Sequence, residues 1–199
     1  MNRREAIQRV AMLIGGSVIG ANLFLEGCTR PATKEVAALF EKDTMNFLGD
    51  LAEAILPETS TPGAKEAGVG EFIPVMIRDC YDPQDQKAFL EGLGGVDELS
   101  KKEFGKKFQE LSKDEQLQFV NMLDKEAKEF QKERGQKQSE LAEGAEPLPN
   151  HFFHMLKQIT LTGFFTSEVG MTKALRYVKI PGKYDGNYPY KKGERAFAS

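Results

Sequence analysis

The stretch "DLAEAILPETSTPGAKEAGVGEFIPVMI", Asp50–Ile77, carries an apolar three-and-four rhythm, breaks it with turn-forming residues and then resumes it. Leu51, Ile55 and Leu56 continue a stripe that begins upstream with Val36, Leu39, Phe40, Phe47 and Leu48. That spacing predicts one amphipathic helix over 34–56 with a single buried face. Pro57 stops it, because proline cannot donate to the helical ladder. "PETSTPGAKEAG" then reads as a loop, in which Pro62 presets φ and Gly63 gives a tight turn its freedom. A second short helix is expected over Val69–Cys80, with Phe72, Val75, Met76 and Ile77 facing inward. Two helices joined by a turn, each with one apolar face, make the domain mainly α.

The same logic extends downstream. "DPQD" (Asp82–Asp85) is a helix start, with Asp82 as cap and Pro83 in the first turn. That helix holds Phe89, Leu90 and Leu93 and is expected to yield to Gly94–Gly95. Two capping boxes follow. One is Ser100 with Glu103, ahead of Phe104 and Phe108; the other is Ser112 with Glu115, ahead of Leu117, Val120 and Leu123. The last of these helices should continue to Phe130 or a little beyond. Residues 131–149 are polar and read as an exposed linker. Phe152, Phe153, Leu156, Ile159 and Leu161 mark another helix, after which Ser167 or Thr166 could cap a further short one. From residue 177 the chain is rich in Gly, Pro and Tyr and has no helical period. Tyr184, Tyr188 and Tyr190 cannot form a core alone, and tyrosine is common in protein interfaces. The tail either wraps its own helices or lies across a partner, and these three tyrosines are the candidate partner-binding residues.

The N-terminal leader raises a different question. Its apolar run, Val10–Leu25, would rise about 24 Å as a helix, short of a hydrocarbon core roughly 30 Å thick. Gly15, Gly16, Gly20 and Asn22 weaken it further as a membrane span, and it is apolar on every side, unlike a packed surface helix. A basic start, a short apolar centre and a small residue before a processing point mark an export signal. Arg3 and Arg4 in "NRREAI" fit the twin-arginine type, although Asn2, Ala6 and Gln8 depart from its usual pattern; a general secretory leader is the other reading. "LEGC" (Leu25–Cys28) looks like a lipoprotein box with Glu26 out of pattern. Cleavage before Cys28 would place a lipid on that thiol, while the plainer alternative leaves Cys28 unmodified. The expected organisation is an export signal over 1–27, a linker over 28–33 and a helical domain over 34–199, of which 177–199 is an irregular tail.

The net charge of −3 becomes −4 once residues 1–27 are removed. That balance argues against a nucleic-acid partner, which needs a basic face. Cys80 would be the one thiol left unmodified, so no internal disulfide framework exists. It is expected as a small buried hydrophobe, with a bridge to a partner as the alternative. His151 and His154, the only histidines, stand three apart, but no further ligands stand at a metal-site spacing. They read as helix-start or surface residues. No CxxCH, GxGxxG, phosphate loop or GxSxG occurs. The carboxylates lie among lysines on exposed helical faces. No catalytic, cofactor-binding or metal-binding residue is therefore assigned in this chain.

Taken in order, Asp50–Ile77, "GFFTSEVG" (Gly163–Gly170) and "YVKIPGKYDGNYPY" (Tyr177–Tyr190) resemble the gluconate 2-dehydrogenase subunit 3 family. Asn187 departs from that pattern where relatives often have Cys. The resemblance implies a small, non-catalytic subunit of a membrane-associated dehydrogenase acting on a sugar or sugar acid. In such complexes an FAD-dependent GMC-type large subunit oxidises a hydroxyl, and a haem-bearing cytochrome c often passes the electrons on. The large subunit can travel out already folded and bound to the small one, which suits a twin-arginine leader. The membrane would then be reached through a lipid on Cys28, and the chain would work in the periplasm. A stand-alone periplasmic lipoprotein, acting as an enzyme or ligand binder through His151, His154 and nearby carboxylates, is the competing reading.

Overall fold

The computed structural model describes residues 33–142, 144–180, 182, 185–189 and 191–198. The helices are α1 (Lys34–Ala37), α2 (Lys42–Ile55), α3 (Val69–Cys80), α4 (Pro83–Phe104), α5 (Lys113–Ser139) and α6 (Phe152–Thr166). Single 3-10 turns sit at Ala38–Phe40 and Phe108–Glu110, and a π-helical turn at Gly170–Ala174. Two short strands, β1 (Arg176–Tyr177) and β2 (Phe197–Ala198), pair in parallel, with Arg176 opposite Phe197 and Tyr177 opposite Ala198. The architecture is mainly α, as the periodicity requires. Among the described residues no helix is long and apolar enough to cross a membrane.

The Asp50–Ile77 stretch folds as a helix–turn–helix. Leu48, Leu51 and Ala52 of α2 meet Val69, Ile73 and Ile77 of α3, all fully buried. The two backbones touch where Gly70 faces Gly49: a Cβ on Gly70 would lie 2.6 Å from the Met45 carbonyl oxygen and 3.0 Å from Gly49 Cα. Any larger residue at 70 would push the helices apart. Glu53 braces the intervening loop by accepting the Glu58 and Lys65 backbone N–H groups, each at 2.8 Å. Asp50 adds a second tie, accepting from Lys65 Nζ and Gln109 Nε2 at 2.6 Å each.

Several boundaries differ from the sequence expectations. The predicted 34–56 helix is broken at Glu41, whose ψ of 139° is extended. Three-and-four spacing holds on both sides of this break, so periodicity alone does not reveal it. Val75 points outward and is 38% exposed, because it lies on the far side of α3 from the Val69–Ile73–Ile77 stripe. Cys80 is exposed and not buried. It occupies the last turn of α3, where the helix leaves the core, with its Sγ 3.9 Å from Met76 Sδ.

Asp82 caps α4 as expected, accepting from the Gln84 and Asp85 N–H groups. The helix does not yield at Gly94–Gly95 but runs through both to Phe104. Each interior glycine costs about 1 kcal/mol relative to alanine, and burial of Phe89 and Val96 on either side offsets it. The true terminator is Gly105, whose φ of +76° is left-handed. Ser100 is accordingly not a cap: it is fully buried within α4 and donates to the Lys106 carbonyl at 2.8 Å.

The Ser112–Glu115 box is formed, with both reciprocal bonds present. From it α5 extends to Ser139, well past its last buried apolar residue, Ala127. The cause is a polar stripe. Gln131 donates to Asn150 Oδ1, Arg134 to the Leu148 and Pro149 carbonyls, and Gln138 Oε1 accepts the Leu148 N–H. The returning segment thus lies along α5 through hydrogen bonds, and Asn150 is tied to buried Asp85 at 2.6 and 2.9 Å. Much of the expected linker is therefore helix or docked chain. Helix α6 then crosses the body, burying Phe153, Met155, Leu156, Ile159 and Phe164. Phe108 and Phe119 pack at 5.6 Å between ring centres, with Phe47 at 6.0 Å from Phe108.

Candidate functional site

The two histidines stand at the start of α6, and the first is engaged in the fold. His151 caps α6, its Nδ1 accepting the Phe153 N–H at 3.2 Å. Its ring lies 5.3 Å from Phe130 and 5.2 Å from Phe152, and its Nε2 is 3.9 Å from Glu126 Oε1. Burial holds the His151 imidazole below its ordinary pKa, against a smaller upward pull from Glu126. His154, half-buried one turn on, is depressed first by burial and then by Arg134 and Lys157. The helix-start reading holds for His151. Among the described residues no group of three His, Cys, Asp or Glu side chains is placed to hold a metal.

Of the residues singled out from sequence, Arg3, Arg4, Cys28, Tyr184 and Tyr190 lie outside the described residues. Tyr188 is described, and it belongs to a cluster with Arg176 and Phe197. Ser167 starts the approach to it, its Oγ accepting the Gly170 N–H at 2.9 Å, which caps the turn after α6 as expected. The turn leads into β1, which the sequence did not signal. The Arg176 N–H donates to the Ala196 carbonyl and the Val178 N–H to the Ala198 carbonyl, at 2.8 and 2.9 Å. These bonds bring the end of the chain back beside residue 176.

The Arg176 guanidinium lies against two aromatic rings that also touch each other. It lies 4.6 Å from the Phe197 ring centre and 5.6 Å from that of Tyr188, and its Nη1 donates to the Tyr188 hydroxyl at 2.7 Å. The two rings meet edge to face at 5.2 Å. An aromatic cluster around a guanidinium is favoured by the negative faces of the rings. Yet it is not a core: Tyr188 is 43% exposed, Phe197 54% and the nearby Ile180 79%. Beside it a shallow hollow of about 520 Å³ is lined by Thr172, Leu175, Arg176, Tyr177, Glu194 and Arg195.

The root of this tail is fixed to the body by Lys173, whose Nζ lies 2.8 Å from Glu66 Oε1; that hydrogen bond raises the lysine pKa. Of this cluster and the hollow beside it, the sequence singles out Tyr188 and not Arg176, Tyr177 or Phe197. "RYVKI" at 176–180 sets Tyr177 and Val178 side by side and so lacks the strict alternation that marks a strand.

No curated protein and no solved structure matches the chain. A family model does, over residues 42–182, and it is described as gluconate 2-dehydrogenase subunit 3. The matched span takes in the helix–turn–helix, the helices from α2 to α6 and the first part of the tail, and leaves out α1. The chain therefore belongs to the gluconate 2-dehydrogenase subunit 3 family.

Proposed function

We propose that this chain is the small, non-catalytic subunit of a membrane-associated, FAD-dependent sugar or sugar-acid dehydrogenase. It grips a GMC-type flavoprotein, accompanies it through export and holds it at the membrane. FAD belongs to the partner, and a cytochrome c subunit would take the electrons onward. Arg3 and Arg4 address the assembled pair for folded export, and Cys28 carries the lipid that tethers it on the periplasmic side. One observation carries the reading: the Arg176–Tyr188–Phe197 stack presents large aromatic surface to solvent on a tail fastened to the body. Tyr and Arg dominate the energetic centres of protein interfaces, and rings already held in place lose little freedom on docking.

The test is co-expression with the flavoprotein that accompanies the chain in its native cell. Arg3→Lys/Arg4→Lys is expected to strand both proteins in the cytoplasm. Undiminished export of the flavoprotein by that variant would contradict the escort role.

A further inference from the structure

The tail differs from the rest of the chain in charge. Residues 171–199 contain seven Lys and Arg but only Asp185 and Glu194 as acids, a net of +5. Because the whole chain is −3, residues 1–170 carry −8. Two of the tail cations are engaged within the molecule: Lys173 with Glu66, and Arg176 with its rings and, at 4.0 Å, Glu194. Among the described residues no ion pair engages Lys179, Lys191, Lys192 or Arg195, and all four are exposed. They share the tail with the exposed rings of Tyr188 and Phe197 and with Ile180.

We infer that the tail is a docking surface for an acidic patch on the dehydrogenase partner; this rests on the subunit reading above. The acidic remainder of the chain repels such a patch, so the partner is steered to the tail and oriented by it. The exposed rings of Tyr188 and Phe197 supply desolvated contact, while the lysines and Arg195 set approach rate and orientation. A protein surface suits this arrangement better than a lipid one. The rings lie beside a short strand pair at 176–177 and 197–198, and no described residue from 176 to 198 is helical, whereas membrane-surface segments are typically amphipathic helices with a basic face.

The experiment measures binding of the full-length chain to the flavoprotein that accompanies it, at low and at moderate salt. Lys191→Glu/Lys192→Glu/Arg195→Glu is compared with an equal charge change on the body, Lys101→Glu/Lys125→Glu/Lys132→Glu. The tail variant should bind more than about tenfold more weakly at low salt and lose most of the salt dependence, with the body variant within about threefold of wild type. Equal weakening by both variants, or none by the tail variant, would overturn the inference while leaving the subunit reading intact. So would tail-dependent binding to vesicles of 30 mol% phosphatidylglycerol (about that fraction giving an anionic surface) with flavoprotein binding unchanged. Failure of the wild-type chain to bind the flavoprotein at either salt concentration would overturn both.

Discussion

The guanidinium of Arg176 lies 4.6 Å from the ring centre of Phe197, and that contact joins the start of the tail to its end. The parallel pairing places the two residues opposite each other, so backbone and side chain hold the same register. Arg176→Ala removes the stacking and the Tyr188 hydrogen bond but leaves the core untouched. The expected loss is about 1 kcal/mol of local stability, seen as roughly fivefold faster hydrogen exchange at the Arg176 and Val178 N–H groups, which donate across the strand pair. The global unfolding midpoint should not move; a large shift would mean the tail is part of the core.

Gly70 and Gly94 make opposite predictions for the same substitution. At Gly70 an added methyl meets the Met45 carbonyl and Gly49 backbone, so Gly70→Ala should destabilise by about 1–3 kcal/mol. At Gly94 an added methyl meets nothing within 4 Å on an ordinary helix, so Gly94→Ala should stabilise by about 0.5–1 kcal/mol. Urea denaturation of the two variants measures both. A neutral Gly70→Ala would mean that α2 and α3 do not approach as described.

Thr160 is fully buried in α6, and its hydroxyl has no hydrogen-bond partner among the described residues. Replacing it with a methyl of the same shape removes that unmet demand. Thr160→Val is expected to raise stability by about 1 kcal/mol, measurable as a higher denaturation midpoint with an unchanged slope.

His151 gives the fold a pH dependence whose sign follows from its environment. Burial depresses its folded-state pKa below the ordinary 6.5, so the unfolded chain takes up the proton first. Stability is full above pH 6.5 and falls as pH drops from there toward the depressed folded value. Protonation also converts Nδ1 from acceptor to donor and breaks the bond to the Phe153 N–H. His154 is depressed in the same direction and adds to the slope. His151→Asn keeps a capping acceptor without titrating, so its stability curve should be flatter through that window. An equally steep curve would assign the dependence to other groups.

Much of this fold was legible wherever burial follows a simple period. The α3 bounds, the Asp82 and Ser112 caps and the start of α6 all follow from apolar spacing next to a capping residue. The misread places are those where another force decides. Residues 131–139 stay helical through Gln131, Arg134 and Gln138, a stripe that hydrophobic patterning cannot see. Gly94–Gly95 look like a stop, but packing on both sides carries the helix across them. Ser100 resembles a cap because a Ser–Glu spacing is a local signal, whereas its burial is a tertiary one. The tail shows the same limit: Tyr188 stood out by composition, but its pairing with Arg176 depends on a chain reversal that no local pattern encodes.

The most direct measurement is recovery of the native protein from its own cells under mild detergent, followed by identification and quantification of what accompanies it. The expected result is a flavoprotein in equal amount, with the absorbance of bound FAD and dehydrogenase activity that disappears with the flavoprotein. Recovery of the chain alone, oxidising a sugar without any partner, would contradict the claim that it works by holding another protein.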